Sequence, residues 1–591
     1  MQFLNFIASL TSIYVSFGTV SAQQNSYDYI VVGAGPTGSM VATELARKGF
    51  STLLIDAGKD YMHPNITVPA FQFNTLETEQ IQWDYWVKHY DESTGLRQKV
   101  LYPKASGLGG CTLHNSLIHV YPNSRDFKEM VELTGDKSWA ETTFRKYLET
   151  IALYRLGSSD RRWLPLSNLN VFRILDLDPK LLGLAKLILG PFFDSITGFD
   201  PNGYAGKGKL NTDFETDFLP KSNVDELSTG VPFRRGIAEY LKTRRNDPKL
   251  TIWTETLVTK VILDGNKATG VEFAKGAHLY RASPIARRED KPLPNLESVY
   301  ARKEVIISAG TFNSPQLAML SGIGHKDELA AVGIESKVHL PGVGKNLHDR
   351  YEISVNFEFD SDLKLLDGCL FKADRKADPC YAKYLDYGIG PYSVAGYLSA
   401  KSLKSDPSLP EPDMVHFNFP LNFTGYHPGT PAQAAGSHRA FSFLNLKAHG
   451  FNRAGVLRLE SNDPRDTPYI NFRYFEQGAD KDIPAIIKGI KDIRKTMAKT
   501  SLRYKEVRPG AQVTSDAALE DYIRKTSWGH HATGTMKIGK NDDPNAVLDG
   551  NFKVRGVENL RVIDLSVMPN LPGYFPVMFL YLLGMKGADV I

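Results

Sequence analysis

The stretch Tyr27–Gly58, YDYIVVGAGPTGSMVATELARKGFSTLLIDAG, decides the fold. Tyr29–Val32 is a short apolar run suited to a buried parallel strand. Gly33, Gly35 and Gly38 follow as G-x-G-x-x-G at a strand-to-helix turn. The spacing predicts a helix from about Thr37 to Lys48, closed by Gly49, and a second strand over Ser51–Ile55. Asp56 stands at that strand's end, 23 residues after Gly33. Gly33 permits the tight turn, Gly35 lets main chain approach a pyrophosphate, and Gly38 lets helix and strand pack closely. The helix N-terminus offers unpaired N–H groups and positive dipole potential to the phosphates. Asp56 is placed to accept from the adenosine ribose. The segment reads as a dinucleotide site, and the motif alone does not choose between NAD and FAD.

The rest of the chain limits the alternatives. With 591 residues there is room for two or more domains. A net charge of +4, spread without a long basic block, argues against nucleic-acid binding. Met1–Ala22 is apolar and ends in Val20-Ser21-Ala22, so residues 1–22 read as a cleaved signal peptide and the protein as secreted. The segment lacks a basic start, and a membrane anchor or a buried N-terminal helix is the competing reading. Beyond it, no run reaches the ~18 apolar residues of a spanning helix, so no stable membrane span is expected. Of three cysteines, Cys369 and Cys380 are placed to close a small loop if the chain is exported, against two free, partly buried thiols. Cys111 lies in a glycine-rich segment. Asn65 and Asn422 head glycosylation sequons.

Along the chain, Asp126–Tyr154 reads as helical, and Pro232–Thr243 as a helix. Leu250–Phe273 alternates around Asp264-Gly265, which suggests a hairpin. Arg281–Pro294 reads as a solvated excursion, Glu304–Ser308 as a buried strand and Pro315–Ser321 as a helix. Alternating stretches between Tyr351 and Phe472, including Met414–Phe419 and Gly455–Ser461, suggest an antiparallel sheet. Ile483–Thr500 is an amphipathic helix, Leu560–Ile563 a strand, and the chain ends in an apolar helix. This order fits a dinucleotide domain built from distant pieces with a mixed α+β domain between them.

Three further segments join the first. Pro103–Ser116 is PKASGLGGCTLHNS; Gly310–Gly324 is GTFNSPQLAMLSGIG, with LPGVGKNLHD after it at Leu340–Asp349; and His531–Gly539 is HATGTMKIG. Together the four resemble the glucose–methanol–choline (GMC) family of FAD oxidoreductases. The likeness runs from Tyr27 to the C-terminus and is weakest in Arg155–Asn223 and Asp360–Leu409. It implies an α/β, Rossmann-type FAD-binding domain, discontinuous in sequence, plus an α+β substrate domain with an antiparallel sheet. Residues 27–349 would be mainly FAD-binding, with a substrate-side excursion at 128–227. Residues 350–526 would bind substrate, and 527–591 return to the FAD domain with the catalytic base. The implied cofactor is FAD, with its isoalloxazine ring between the domains. Gly109, Gly110 and Asn115 match the flavin-side loop, and Val258 a main-chain contact to adenine. Asp564 matches a residue near the ribityl chain, although capping a turn explains it equally well. GGCTLHNS resembles the choline-oxidase-type loop, in which histidine is bonded to the flavin 8α-methyl. His114 is therefore the candidate covalent anchor, with packing beside noncovalent FAD as the other reading.

By its place in H-x-x-G-T, His531 is the candidate base that removes the hydroxyl proton as hydride passes to flavin N5. The N-terminus of the final helix, near Phe575–Met578, is placed to stabilise charge on the reduced ring. The family's second active-site partner, usually His or Asn, is replaced here by Phe575. Either His530 or Tyr574 takes over, or Phe575 is a wall for an apolar or aromatic alcohol, or the redox reaction is impaired or absent, with FAD kept for structure or for a non-redox lyase or cyclase chemistry. The leading expectation is oxidation of the CH–OH group of an apolar or aromatic small molecule or secondary metabolite to an aldehyde or ketone. Oxygen or another electron acceptor would complete the cycle, and no stretch of the sequence speaks to oligomeric state.

Overall fold

A computed structural model describes residues 26–156, 178–181, 183–184, 212–213, 234, 236–388, 390–393 and 399–591. Residues 1–22 and most of the excursion 128–227 lie outside it. The sequence motif that opens the chain folds as expected: strand Ser26–Val32, helix Pro36–Arg47 and strand Thr52–Ile55. Ser26–Val32 is the centre of a sheet in which Leu250–Trp253, Thr52–Ile55, Ser26–Val32 and Glu297–Ile307 lie side by side, all parallel. Leu560–Val562 extends it beyond Val305–Ile307, also parallel. Both faces of these strands are covered, which is why they read as continuous apolar runs.

Two expectations change here. Leu250–Phe273 is not one hairpin: Leu250–Trp253 joins the parallel sheet, and only Thr256–Asp264 and Lys267–Lys275 form the hairpin, closed at Gly265 with φ 58°. Asp126–Tyr154 divides into helices Ser124–Thr134 and Glu141–Leu156, because Gly135 ends the first in a left-handed conformation. The excursion Arg281–Pro294 carries a short helix, Pro284–Glu289. The last helix, Val577–Asp589, packs on Pro36–Arg47; a Cβ on Gly584 would stand 2.6 Å from the Met40 Cβ.

The second sheet is antiparallel throughout, in the order Ser399–Leu403, Met414–Phe419, Ala440–Lys447, Tyr351–Phe359, Tyr504–Arg508. Helix Ala479–Met497 lies on one face, where Asn445 donates to the Ile486 carbonyl at 2.9 Å and Gly489 leaves room for it. The opposite face presents Glu352, Leu444 and Phe417 to a cavity between the two sheets. Cys369 and Cys380 form a disulfide with a Cα–Cα distance of 5.1 Å. Asn65 and Asn422 are half-buried, and the Asn65 amide donates to Thr78 Oγ1 at 3.0 Å. Among the described residues no helix is long and apolar enough to cross a membrane.

Candidate active site

One continuous cavity runs from Gly33, Asp56 and Val258, at the parallel sheet, to Phe417, His531 and Phe575, under the antiparallel one. Its first end is made of main chain. A Cβ on Gly38 would stand 2.1 Å from the Gly33 carbonyl oxygen, and one on Gly33 would stand 2.3 Å from that of Ser308. No other side chain fits either position. A Cβ on Gly35, by contrast, would meet nothing within 4 Å and would project into open cavity. That open floor beneath the N-terminus of Pro36–Arg47 fits a pyrophosphate. Asp56 accepts from the N–H groups of Ala34 (2.8 Å), Gly58 (2.8 Å) and Gly107 (3.1 Å). It thus binds the dinucleotide turn to the glycine loop, with lone-pair capacity left for a ribose hydroxyl.

The glycine loop leans on that turn, since a Cβ on Gly110 would lie 3.1 Å from the Gly35 Cα. Gly109 and Gly110 both have positive φ, and they lead through the tight turn Gly110–Leu113 into His114, which lines the cavity. Cys111, opposed by its own burial, is lowered to about 6 by the Lys104 ammonium and the hydrogen-bonded His114. Asn115 also lines the cavity, and its Oδ1 accepts from Arg234 at 2.6 Å. Asp564 caps two elements at once, accepting from Ser566 N at 2.8 Å and from Gly310 N at 2.9 Å. It lines the cavity as well, so the capping role does not take it away from the site.

At the other end, His531 is positioned by three distant segments. Its N–H donates to Asp349 Oδ1 at 2.9 Å; Tyr102 donates to Asp349 Oδ2 at 2.6 Å and accepts from Ala532 N at 2.8 Å. Helix Gly310–Leu320 adds a further tie. Pro315 has no N–H, so the Thr311 carbonyl one turn earlier is free of its helical partner and accepts from Thr535 Oγ1 at 2.7 Å. Thr311 Oγ1 donates in turn to the Ala532 carbonyl at 2.7 Å. Sequence reading starts this helix at Pro315, whereas it begins at Gly310. Proline is accepted because side chains of the H-x-x-G-T segment take up the orphaned group.

Glu352 was not foreseen. It is fully buried, and Oε1 lies 3.6 Å from His531 Nδ1 and 3.7 Å from His530 Nδ1. Burial, reinforced by the neighbouring Asp349, raises its carboxyl well above the usual range. Burial also holds His531 well below the usual imidazole range, aided by His530, Arg350 and Lys104. His530 is lowered likewise by burial, then by His114, Lys104 and Arg350. Both rings are therefore neutral near pH 7. A neutral imidazole can accept a proton, and this one lines the cavity at 12% side-chain exposure.

The residues near Phe575 divide. Phe575 lines the cavity, edge-on to His531 at 5.9 Å and to Phe417 at 5.3 Å. Tyr574 does not reach the site: it is buried, and its hydroxyl donates to the Pro412 carbonyl at 2.7 Å. His530 does line the cavity, stacked on Trp528 at 17° and 3.3 Å from the Tyr426 hydroxyl through Nε2.

A glycine cradle for a dinucleotide, opening onto a neutral histidine in an apolar chamber, fits an FAD-dependent oxidoreductase acting on CH–OH donors, the class to which the comparisons point. Family models described as GMC oxidoreductase match residues 234–352 and 451–584. Human mitochondrial choline dehydrogenase is 29% identical over 586 residues, covering 97% of this chain and 90% of its own. The glucose methanol choline oxidoreductase atC of Aspergillus terreus is 29% identical over 591 residues, covering 96% and 92%. A crystal structure of formate oxidase shares the fold with TM-score 0.74 at 21% identity, over 96% of this chain and 98% of that one. A lycopene cyclase model matches residues 28–102, which hold the dinucleotide turn and stop far short of His531. The chain belongs to the GMC oxidoreductases, and its cofactor is FAD.

Proposed function

We propose that this protein oxidises the CH–OH group of an apolar or aromatic small alcohol to an aldehyde or ketone. The observation that carries the reading is the chamber around His531, walled by Phe417, Phe423, Tyr426, Leu444, Trp528 and Phe575. Bound FAD supplies the hydride acceptor. The protein's part is to seat the alcohol against Phe575 and take its hydroxyl proton at His531. Proton abstraction uses the tautomer with its proton on Nδ1 and a lone pair on Nε2. Val577, at the start of the last helix, lines the same cavity and brings main-chain N–H groups and dipole toward developing negative charge. Phe575 acts as a wall and not as a second base, which leaves His531 to work alone. His114 is proposed as the covalent anchor; acid-precipitated protein should stay yellow, and a colourless pellet would end that claim. The Cys369–Cys380 disulfide supports export to an oxidising compartment.

One observation favours a second substrate class. Glu352 is buried and unpartnered among aromatic rings, an ammonium group seated there would hold its carboxyl in the charged form, and the human relative is named for choline. Anaerobic mixing of the purified flavoprotein with aryl alcohols and, separately, with choline decides between them. Loss of flavin absorbance with the aryl alcohols supports the first reading; loss with choline alone moves the function to the second. Absence of reduction by any alcohol would overturn both. Reoxidation in air then tells whether oxygen or another acceptor completes the cycle.

A further inference from the structure

The Nδ1 side of the two histidines holds a cluster that proton abstraction at Nε2 leaves unused. Neither carboxylate oxygen of Glu352, nor His530 Nδ1, nor His531 Nδ1 has a hydrogen-bond partner, although all four atoms are buried. Unpaired buried polar atoms are costly, and four converging on one point call for a ligand. We propose that Glu352, His530 and His531 form a binding site for one divalent zinc-class ion, and that its occupation stops alcohol oxidation.

The donor set and its spacing carry the assignment. One carboxylate and two imidazoles, with a fourth position open to the cavity, is a ligand set zinc takes in proteins. Imidazole donors favour zinc, copper or nickel over magnesium or calcium, which prefer oxygen. The three donor atoms lie within 4.8 Å of one another, with Glu352 Oε1 3.7 and 3.6 Å from the two nitrogens. Bonds of about 2.0–2.1 Å in a tetrahedron put donors roughly 3.4 Å apart, so the two Glu352–histidine separations close on a metal with shifts of a few tenths of an ångström.

The frame is also rigid. Glu352 and Trp528 exchange main-chain hydrogen bonds at 2.9 and 3.1 Å, which fixes the strand against the segment leading to the histidines. Trp528 and Tyr426 hold the His530 ring, and an Nε2–H that donates to Tyr426 leaves the lone pair on Nδ1, toward Glu352. The His531 main chain is held by Asp349.

The inhibition rests on the reading of His531 as base. A neutral imidazole bound to metal through Nδ1 carries its proton on Nε2. An Nε2–H cannot accept the proton of an alcohol. A proton and a metal on the same nitrogen thus give opposite outcomes.

Cobalt(II) tests the site without any substrate. Titrated into the FAD-loaded protein, it should give visible d–d absorption beyond the flavin bands, saturating at one ion per chain and displaced by zinc. Glu352→Gln and, independently, His530→Gln should weaken binding by ~10² or more, with FAD content and circular dichroism confirming that each variant is folded. Zinc should abolish turnover, and a chelator should restore it. Absence of the cobalt bands, or affinity unchanged in both variants, would overturn the site. Bands present with turnover unaffected would keep the site and overturn the inhibition. An ammonium group seated on Glu352 gives no such spectrum, so the alternative occupant is distinguished.

Discussion

At the end of the cavity proposed for adenosine, three glycines, a helix terminus and one bridging carboxylate shape the walls. At the His531 end the walls are side chains, contributed by segments around residues 102, 311, 349, 352, 417, 530 and 575. Main-chain recognition depends on local φ, ψ and the absence of Cβ atoms, so it is tied to consecutive residues. Side-chain recognition depends on which strands meet. The first end therefore serves any bearer of the same dinucleotide, whereas the second can change substrate by a single substitution in a wall.

The largest expected effect is at the side-chain end. His531→Ala should retain FAD yet lose ~10²–10⁴ in reductive turnover, about 3–5 kcal/mol of barrier, in stopped-flow flavin reduction. Near-normal reduction would move the base to His530 and break the distinction between the two histidines. Gly38→Ala attacks the main-chain end. Its Cβ would stand 2.1 Å from a main-chain oxygen that cannot rotate away. The variant should lose about 1–3 kcal/mol of stability and most of its FAD, read by denaturant unfolding and absorbance. Full FAD occupancy in Gly38→Ala would show that the cradle is not what holds the pyrophosphate.

Asp349 ties the His531 segment to Tyr102, and its carboxyl is pushed up to about 6 by burial, against hydrogen bonds from Tyr102, His531 and Arg350. A carboxyl whose pKa is raised on folding binds its proton more tightly in the native state. Native protein therefore holds the extra proton between about pH 4 and 6, and stability falls as pH rises through that window. Relative to the native protein, Asp349→Asn should gain up to about 3 kcal/mol between pH 4 and pH 6, measured by urea unfolding at each pH. A flat difference would mean Asp349 is an ordinary surface-like acid. The smallest effect is expected for Thr535→Val, which leaves the Thr311 carbonyl without a partner. It should cost about 1–2 kcal/mol in thermal unfolding and lower kcat more than it raises KM, because the His531 segment loosens.

The legibility of the sequence follows the same division. The βαβ unit, the glycine loop and H-x-x-G-T were readable because each is a run of consecutive residues under a local constraint. Leu250–Trp253 was misread because a four-residue apolar stretch beside a hairpin carries no mark of its parallel neighbour. Glu352 was missed for a different reason. In Tyr351–Phe359, Glu352, Ser354 and Asn356 alternate with apolar residues, the pattern of a strand with one wet face. That face is instead turned inward to the cavity, where a lone carboxylate signals chemistry and not solvent. Asp349 sat inside a recognised motif, yet its role depends on Tyr102, hundreds of residues earlier. Tyr574 and Phe575 were indistinguishable until the turn showed which one faces inward.

The parallel sheet has a consequence for the order of synthesis. Strand Glu297–Ile307 pairs on one side with Ser26–Val32 and on the other with Leu560–Val562. While the chain emerges from the ribosome, its N-terminal parts fold first, but the edge at Val305–Ile307 stays unpaired until Leu560–Val562 has been made. The segment that finally covers this edge arrives just after His531. A chain stopped short of His531 therefore displays an adhesive strand edge and no base, which exposes it to chaperones and proteases.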